Sequence, residues 1–347
     1  MNSGTYIESV GIEIPERTQS TSAILEKLGL PEPLKLELMT GIRSRHVCSE
    51  HEDSLTLALG AGKNCMEHST LTSGDIDMVI YCGISRYVGG VKHAYEPAMS
   101  LMIKDRLGLK HAMAFDISNA CAGMLTGIHI ASEFIENGTV GSCLVVSGEY
   151  ITSLSKNALV NIKSPRSKEL ASLTLGDAGG AVILKRSNSD KEKILVSKFV
   201  TLGQYSDLCI GYMSKRQEGG VMLTRMKQIH DASIQHAPLI IEEALGEAGL
   251  SLDEIDHLIP HQTSRQAIKA GEKHFREYFG TMARNIVVNL ENVGNTASTS
   301  HVLAFHNLLR NNKIRQGEKI MLLSFASGLV IGVVIFTVSS ILDRYGS

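Results

Sequence analysis

The chain has 347 residues and a formal net charge of −2, long enough to bury a large core as two domains or one large α/β unit and without the basic field that nucleic acid demands. Aromatic residues make up 5% and tryptophan is absent, which also argues against base-stacking platforms. Six cysteines (48, 65, 82, 121, 143, 209) are scattered without a CxxC pair, so neither a disulfide framework nor a zinc site is expected, and a reducing cytoplasm is the expected location.

In chain order, residues 4 to 14 read as a first strand and Thr21 to Gly29 as a short helix. Residues 36 to 47 form a turn-rich connection carrying Arg43 and Arg45. Ser54 to His68 is an amphipathic helix, and residues 74 to 83 are an acidic turn feeding a buried strand. A glycine-rich loop, Val88 to Lys92, precedes a helix predicted from Glu96-Pro97 to Leu107-Gly108.

The stretch Ala114 to Gly138 then joins a strand, a polar turn at Ser118-Asn119 and a helix stopped by Asn137-Gly138. Cys121 sits where that helix begins, where unpaired N–H groups and the positive dipole end favour a thiolate. Read alone, an inert core cysteine fits equally well. Strand 143 to 148 follows, residues 155 to 170 read as a polar surface loop, and residues 175 to 184 are a turn into another buried strand. The charged run 185 to 193 marks a boundary between halves 1–187 and 188–347.

The second half repeats the order of the first. Asp75-Ile76-Asp77 corresponds to Glu254-Ile255-Asp256, each opening a short apolar strand after a helix, the second predicted at Pro238 to Gly249. Residues 285 to 309 parallel the strand, small-residue turn and helix around Cys121, and IMLLSF and LVIGVVIF parallel CLVVSG and AGGAVIL. Matched elements in one order predict an internal duplication of an α/β unit. Ile320 to Leu342 carries no charge and is long enough to span a bilayer. Two buried strands around the turn Ala326-Ser327-Gly328 fit it better, so no membrane insertion is expected.

Duplication brings equivalent element ends together near the middle. Those rich in functional groups are Cys121, Pro260-His261-Gln262 and Gly294-Asn295-Thr296, a thiol, an imidazole and an amide. Cys, His and Asn in that order also occur in papain-like proteases, but the surrounding context is missing. His257 and His261 lack a third ligand nearby, so no metal is expected. Gly176 to Gly180 reads as a turn and not a phosphate loop.

With TGIRSRH (40–46), DISNACAGM (116–124), LGDAGGAVIL, IPHQTS, GNTAS (294–298) and SFASG (324–328) in order, the chain resembles the ketoacyl-ACP synthase III branch of the thiolase-fold condensing enzymes along its whole length. The resemblance implies a five-layered αβαβα fold, a homodimer, and a Cys121–His261–Asn295 triad. It also implies an oxyanion hole from the backbone N–H groups of Cys121 and Ser327, and chemistry on thioesters of acyl carrier protein or coenzyme A with no cofactor. Arg43 and Arg265 would be carrier- or coenzyme A-binding residues.

Departures sharpen the expectation. Lys35 and Met39 stand where the family places an adenine-clamping tryptophan and arginine, which favours delivery by a carrier protein. Ser264 replaces an asparagine after the PHQ motif. Tyr95-Glu96-Pro97 resembles relatives that join two fatty acyl thioesters, in olefin-pathway and pyrone-, resorcinol- or stilbene-type synthesis. In the olefin-pathway type such a glutamate acts as base across the dimer. The expected function is therefore Claisen condensation of two acyl thioesters through an acyl-cysteine. The alternatives are a decarboxylative initiating synthase using malonyl-ACP, O-acyl transfer, or a non-catalytic subunit of a heterodimeric synthase.

Overall fold

The structure, a computed structural model, describes residues 4–30, 34–187, 189, 192–338 and 340–345. The strands are β1 (Gly4–Glu13), β2 (Thr18–Ser20), β3 (Ser44–His46), β4 (Met78–Tyr81), β5 (Met113–Asp116), β6 (Ser142–Glu149) and β7 (Ala178–Ser187), then β8 (Ile194–Thr201), β9 (Cys209–Met213), β10 (Gly220–Thr224), β11 (His257–Pro260), β12 (Asn285–Ile286), β13 (Lys319–Ala326) and β14 (Val330–Thr337). The helices are α1 (Thr21–Leu28), α2 (Leu36–Thr40), α3 (Ser54–Glu67), α4 (Met99–Arg106), α5 (Gly123–Glu136), α6 (Ser153–Asn161), α7 (Met226–Ala248), α8 (Arg265–Phe279) and α9 (Ser300–Arg310).

Two five-stranded sheets run β1-β7-β6-β4-β5 and β8-β14-β13-β11-β12. Their directions match as well as their order. β4 pairs in parallel with β5 and β6, as β11 does with β12 and β13, and the remaining pairs are antiparallel in both sheets. The duplication read in the sequence is thus a duplication of topology.

Period-two alternation assigns each strand two buried faces. On β6, Cys143 and Val145 join a central core with Met124, Leu125 and Ile128 of α5 and Phe305 and Leu308 of α9. Its Leu144 and Val146 join an outer core with Leu55 of α3 and Ile103 of α4. On β13, Ile320 and Leu322 join the central core, and Met321 and Leu323 join a second outer core with Ile240 and Ile241 of α7 and Phe275 of α8. The layers are therefore α3/α4, sheet, α5/α9, sheet, α7/α8, the thiolase arrangement. Double coverage also explains why residues 320 to 342 contain such long apolar runs. Among the described residues no helix is long and apolar enough to cross a membrane.

Three local expectations change. The expected surface loop at 155 to 170 instead begins inside α6 (Ser153–Asn161), which buries Ser155, Asn157 and Ala158. Small and polar residues make its inner face, so the periodic apolar signal is weak. α7 starts at Met226 and carries Pro238 inside it, where a missing N–H had suggested a helix start. α4 starts at Met99, capped by Ala98, so Glu96 is not part of its first turn.

Candidate active site

Two strand-to-helix corners open onto one cavity of about 1090 Å³. In the first, Ala120 takes φ 45° and begins a single tight turn, Ala120–Ala122, before α5. Left-handed backbone costs a non-glycine residue roughly 1–2 kcal/mol, and Cys121 is the residue it turns into the cavity wall. α5 can start there because residue 123 is glycine. A Cβ on Gly123 would lie 2.3 Å from the Cys82 carbonyl oxygen. The Ser324 hydroxyl donates to the Cys121 carbonyl at 3.4 Å, tying this corner to β13.

Cys121 is half-buried. Burial pushes its thiol well up, and Cys209 and Glu149 act in the same direction. The helix end expected to favour a thiolate is thus opposed by desolvation and neighbouring negative charge. The resting group is a thiol.

His261 follows β11, 4% exposed, with its backbone N–H donating to the Leu323 carbonyl at 2.8 Å. Its Nδ1 lies 3.0 Å from the Ser300 hydroxyl. With that hydroxyl donating, the ring proton sits on Nε2, leaving an N–H for the cavity. Burial, with His301 adding to it, lowers the His261 pKa to about 3, so the imidazole is neutral.

Asn295 is held by both its backbone groups. Its N–H donates to the Thr174 carbonyl at 2.9 Å, and its carbonyl accepts from Gly176 at 3.0 Å. Its Oδ1 accepts from the Ala297 N–H at 3.0 Å. A backbone N–H can pair only with the oxygen, so the amide nitrogen is the end left over as a donor. Cys121, His261, Asn295 and Ser327 all line the one cavity.

The other expected residues lie elsewhere. Glu96 is exposed on the single chain and outside the cavity lining. Arg43 and Arg265 share Glu291, at 3.0 and 2.9 Å, beside the cavity residues Ser264 and Gln266. Met39, at the expected clamp position, is a lining residue 43% exposed, next to Leu38 at 72%.

Sequence reading missed Ser300, His301, Ser324 and the second cavity thiol, Cys209. Ser300 and His301 lie just past the GNTAS motif and Ser324 opens SFASG, whereas Cys209 lies outside every motif. The cavity also reaches further than Cys121, His261 and Asn295. Its lining includes the apolar side chains of Tyr87, Leu154, Met213, Phe275, Met282 and Ile286.

Comparison with known proteins supplies the family. Residues 115–203 match the model for 3-oxoacyl-[acyl-carrier-protein] synthase III, and residues 245–338 match that for its C-terminal part. A β-ketoacyl-[acyl-carrier-protein] synthase III of Coxiella burnetii is 30% identical over 332 residues, covering 94% of this chain and 97% of the relative. The crystal structure of the 3-oxoacyl-[acyl-carrier-protein] synthase III of Aquifex aeolicus superposes with a TM-score of 0.82 at 23% identity, covering 96% of this chain and 100% of that one. Xanthomonas campestris OleA, solved with bound lauric acid and lauroyl-CoA, gives 0.85 at 22% identity, covering 97% and 100%. The two structures share the fold, and it is the closer identity over nearly the whole of both chains that makes this protein a member of the 3-oxoacyl-[acyl-carrier-protein] synthase III family, acyltransferase-type ketosynthases that form carbon–carbon bonds by Claisen condensation.

Proposed function

We propose that the protein is an initiating ketosynthase that condenses an acyl group held on Cys121 with a malonyl thioester, with loss of carbon dioxide. Cys121 attacks an acyl thioester, and its proton ends on the departing carrier thiol. The backbone N–H groups of Cys121 and Ser327 receive the developing oxyanion. Such a donor was worth about 2.7–4 kcal/mol where one was removed from another enzyme. The malonyl thioester then places its carbonyl oxygen between His261 Nε2–H and the Asn295 amide. Loss of carbon dioxide leaves an enolate on that oxygen, its carbon attacks the acyl-cysteine, and the β-ketoacyl thioester departs. Cys121 leaves as a thiolate and regains a proton from solvent. Two substrates using one thiol in turn give ping-pong kinetics.

The observation that carries this reading is that the wall holding the thiol also holds His261, its Nδ1 against the Ser300 hydroxyl, and Asn295, its Oδ1 against the Ala297 N–H, which leaves one nitrogen of each for a substrate oxygen. Decarboxylation needs donors and no base. Among the described lining residues the one carboxylate, Glu272, is engaged by Arg276 at 3.1 Å. Relatives named synthase III support it independently. Delivery by acyl carrier protein or coenzyme A is part of the proposal, with Arg43 and Arg265 near the mouth as the cationic contacts.

A second reading is the condensation of two acyl chains. The cavity volume favours it, lying just above the roughly 300–1,000 Å³ that small-molecule pockets span, with apolar side chains from several elements in its lining. It requires a base, and Glu96 could act only from a second subunit. A homodimer through the free edge of β5 would supply one. Met113 on that strand and Tyr95 nearby in sequence are 45% and 80% exposed. The deciding experiment supplies an acyl donor with malonyl-ACP, or two acyl thioesters, and measures carbon dioxide and β-keto product. Product from two acyl thioesters that Glu96→Gln abolishes would overturn the first reading in favour of the second.

A further inference from the structure

His301 has no place in the triad, yet it is the second residue of α9, wholly buried, and its ring lies against that of His261. The ring centroids are 5.8 Å apart and the planes are inclined by 22°. Its Nε2 is 3.1 Å from the Leu323 carbonyl oxygen. A carbonyl only accepts, so Nε2 carries the proton and Nδ1 is bare. Among the described residues nothing pairs with that Nδ1. A buried orphan nitrogen is costly, and an aliphatic side chain would fill the space without it.

The Leu323 carbonyl is also the acceptor for the backbone N–H of His261, at 2.8 Å. Backbone and ring of the two histidines are therefore pinned to one oxygen of β13. Ser300, one residue earlier on α9, holds the Nδ1 of His261 at 3.0 Å. Two consecutive residues thus grip the imidazole, one at its edge and one on its face.

We infer that His301 is a positioning residue for His261, fixing the plane of its ring so that Nε2–H points at the thioester oxygen during the second half-reaction. This rests on the role proposed above for His261. A flat neutral ring can stack, and the N–H···O bond fixes where it stacks. Valine or leucine could do neither. Electrostatics act in the same direction, since an imidazolium at 301 would repel one at 261, and burial keeps both neutral.

The test is a double-mutant cycle on the full-length enzyme. His301→Phe keeps a stacked ring and removes the hydrogen bond, and His301→Gln keeps a donor and removes the stack. Each is expected to slow condensation about tenfold, the middle of the range for coupled neighbours. Acylation of Cys121, followed by intact mass, and the KM for the acyl donor should stay unchanged. In a His261→Ala background either substitution should cost less than about twofold more, measured as residual malonyl decarboxylation. Nitrogen NMR of the imidazoles adds a direct readout. His261 should be protonated at Nε2 in the native enzyme and mixed between tautomers in the variants. Equal losses with and without His261, or variants with native condensation rates, overturn the inference. If His261→Ala itself condenses normally, the triad reading is what fails. Should His301→Phe not fold, His301→Gln carries the same cycle.

Discussion

The two corners that meet at the cavity share backbone almost residue for residue and differ in what they offer. In the first, Ala120 at φ 45° opens the turn Ala120–Ala122 ahead of α5; in the second, Ala297 at φ 52° opens Ala297–Thr299 ahead of α9. The strand ends beside them match too. The Cys82 N–H donates to Val146 at 2.8 Å, and the His261 N–H donates to Leu323 at 2.8 Å. After the left-handed alanine comes Cys121 in one corner and Ser298 in the other. Cys121 lines the cavity, whereas the buried Ser298 hydroxyl donates to the Glu149 carboxylate. At the strand ends the roles reverse. Cys82 is sealed in the core, its thiol pushed far up by burial, while His261 reaches the cavity. Duplication supplied two equivalent frames, and each kept one reactive position open and closed the other.

The largest effect should follow from removing the open thiol. Cys121→Ala is expected to abolish the acyl adduct in intact mass and lower turnover by on the order of 10⁴-fold or more. Cys82→Ala, at the strand-end position matched by His261, should leave the adduct intact. If Cys82 were acylated in place of Cys121, the assignment of open and closed positions would be reversed. Next in size is Asn295→Ala. Losing one donor to the thioester oxygen should cost condensation about 10²–10³-fold, with acylation of Cys121 retained. Equal losses in both half-reactions would show that Asn295 shapes the cavity and does not serve the second substrate alone.

How much of this comparison could be read from the chain depends on the range of the interaction. Asp75-Ile76-Asp77 and Glu254-Ile255-Asp256 open matching strands through local capping and apolar runs, so the repeat was visible. The five layers were implied by the resemblance, and the unbroken apolar segments of β6 and β13, which alternate between two cores, agree with them. The motifs singled out Cys121, His261 and Asn295, and the fold brings all three to one cavity. The grip of Ser300 and His301 on His261 was not, since it exists only once β11, β13 and α9 are in register. Nor was α6, whose inner face is built from Ser155, Asn157 and Ala158. The expectation of two acyl chains rested on Glu96, which a single chain leaves on its surface, while the relatives are named β-ketoacyl-[acyl-carrier-protein] synthase III.

The left-handed alanines separate backbone strain from chemistry. Glycine adopts positive φ without the Cβ penalty, so Ala120→Gly and Ala297→Gly each relieve about 1 kcal/mol of local strain, offset in part by greater freedom of the unfolded chain. Thermal midpoints should change by a few degrees at most in either variant. Activity should not change equally. Ala120 adjoins Cys121, and loosening it should slow acylation several-fold. Ala297 donates its N–H to Asn295 Oδ1, so Ala297→Gly should act on condensation and spare acylation. A single pattern of loss in both variants would mean that the two corners are not independent.

The smallest effect distinguishes the two central helices by their response to acid. α9 carries His306, whose ring meets Tyr345 edge-on at 5.8 Å. Burial, then the nearby His68 and Arg310, lowers its pKa from 6.5 to about 4. A histidine depressed on folding remains neutral in the native state while the unfolded chain takes up a proton. The unfolded state therefore gains ground as pH falls through 6.5, and the loss is complete near 4. Above 6.5 the group contributes no pH dependence. His306→Phe keeps an aromatic ring on Tyr345 and removes the titration. Denaturant unfolding should find its stability relative to the native sequence unchanged between pH 7 and 8, and improved by about 1–2 kcal/mol at pH 5. A difference that stays constant from pH 8 to 5 would place the acid sensitivity elsewhere, with the fully buried His261 and His301 as the remaining groups of the second corner whose pKa is lowered in the same sense.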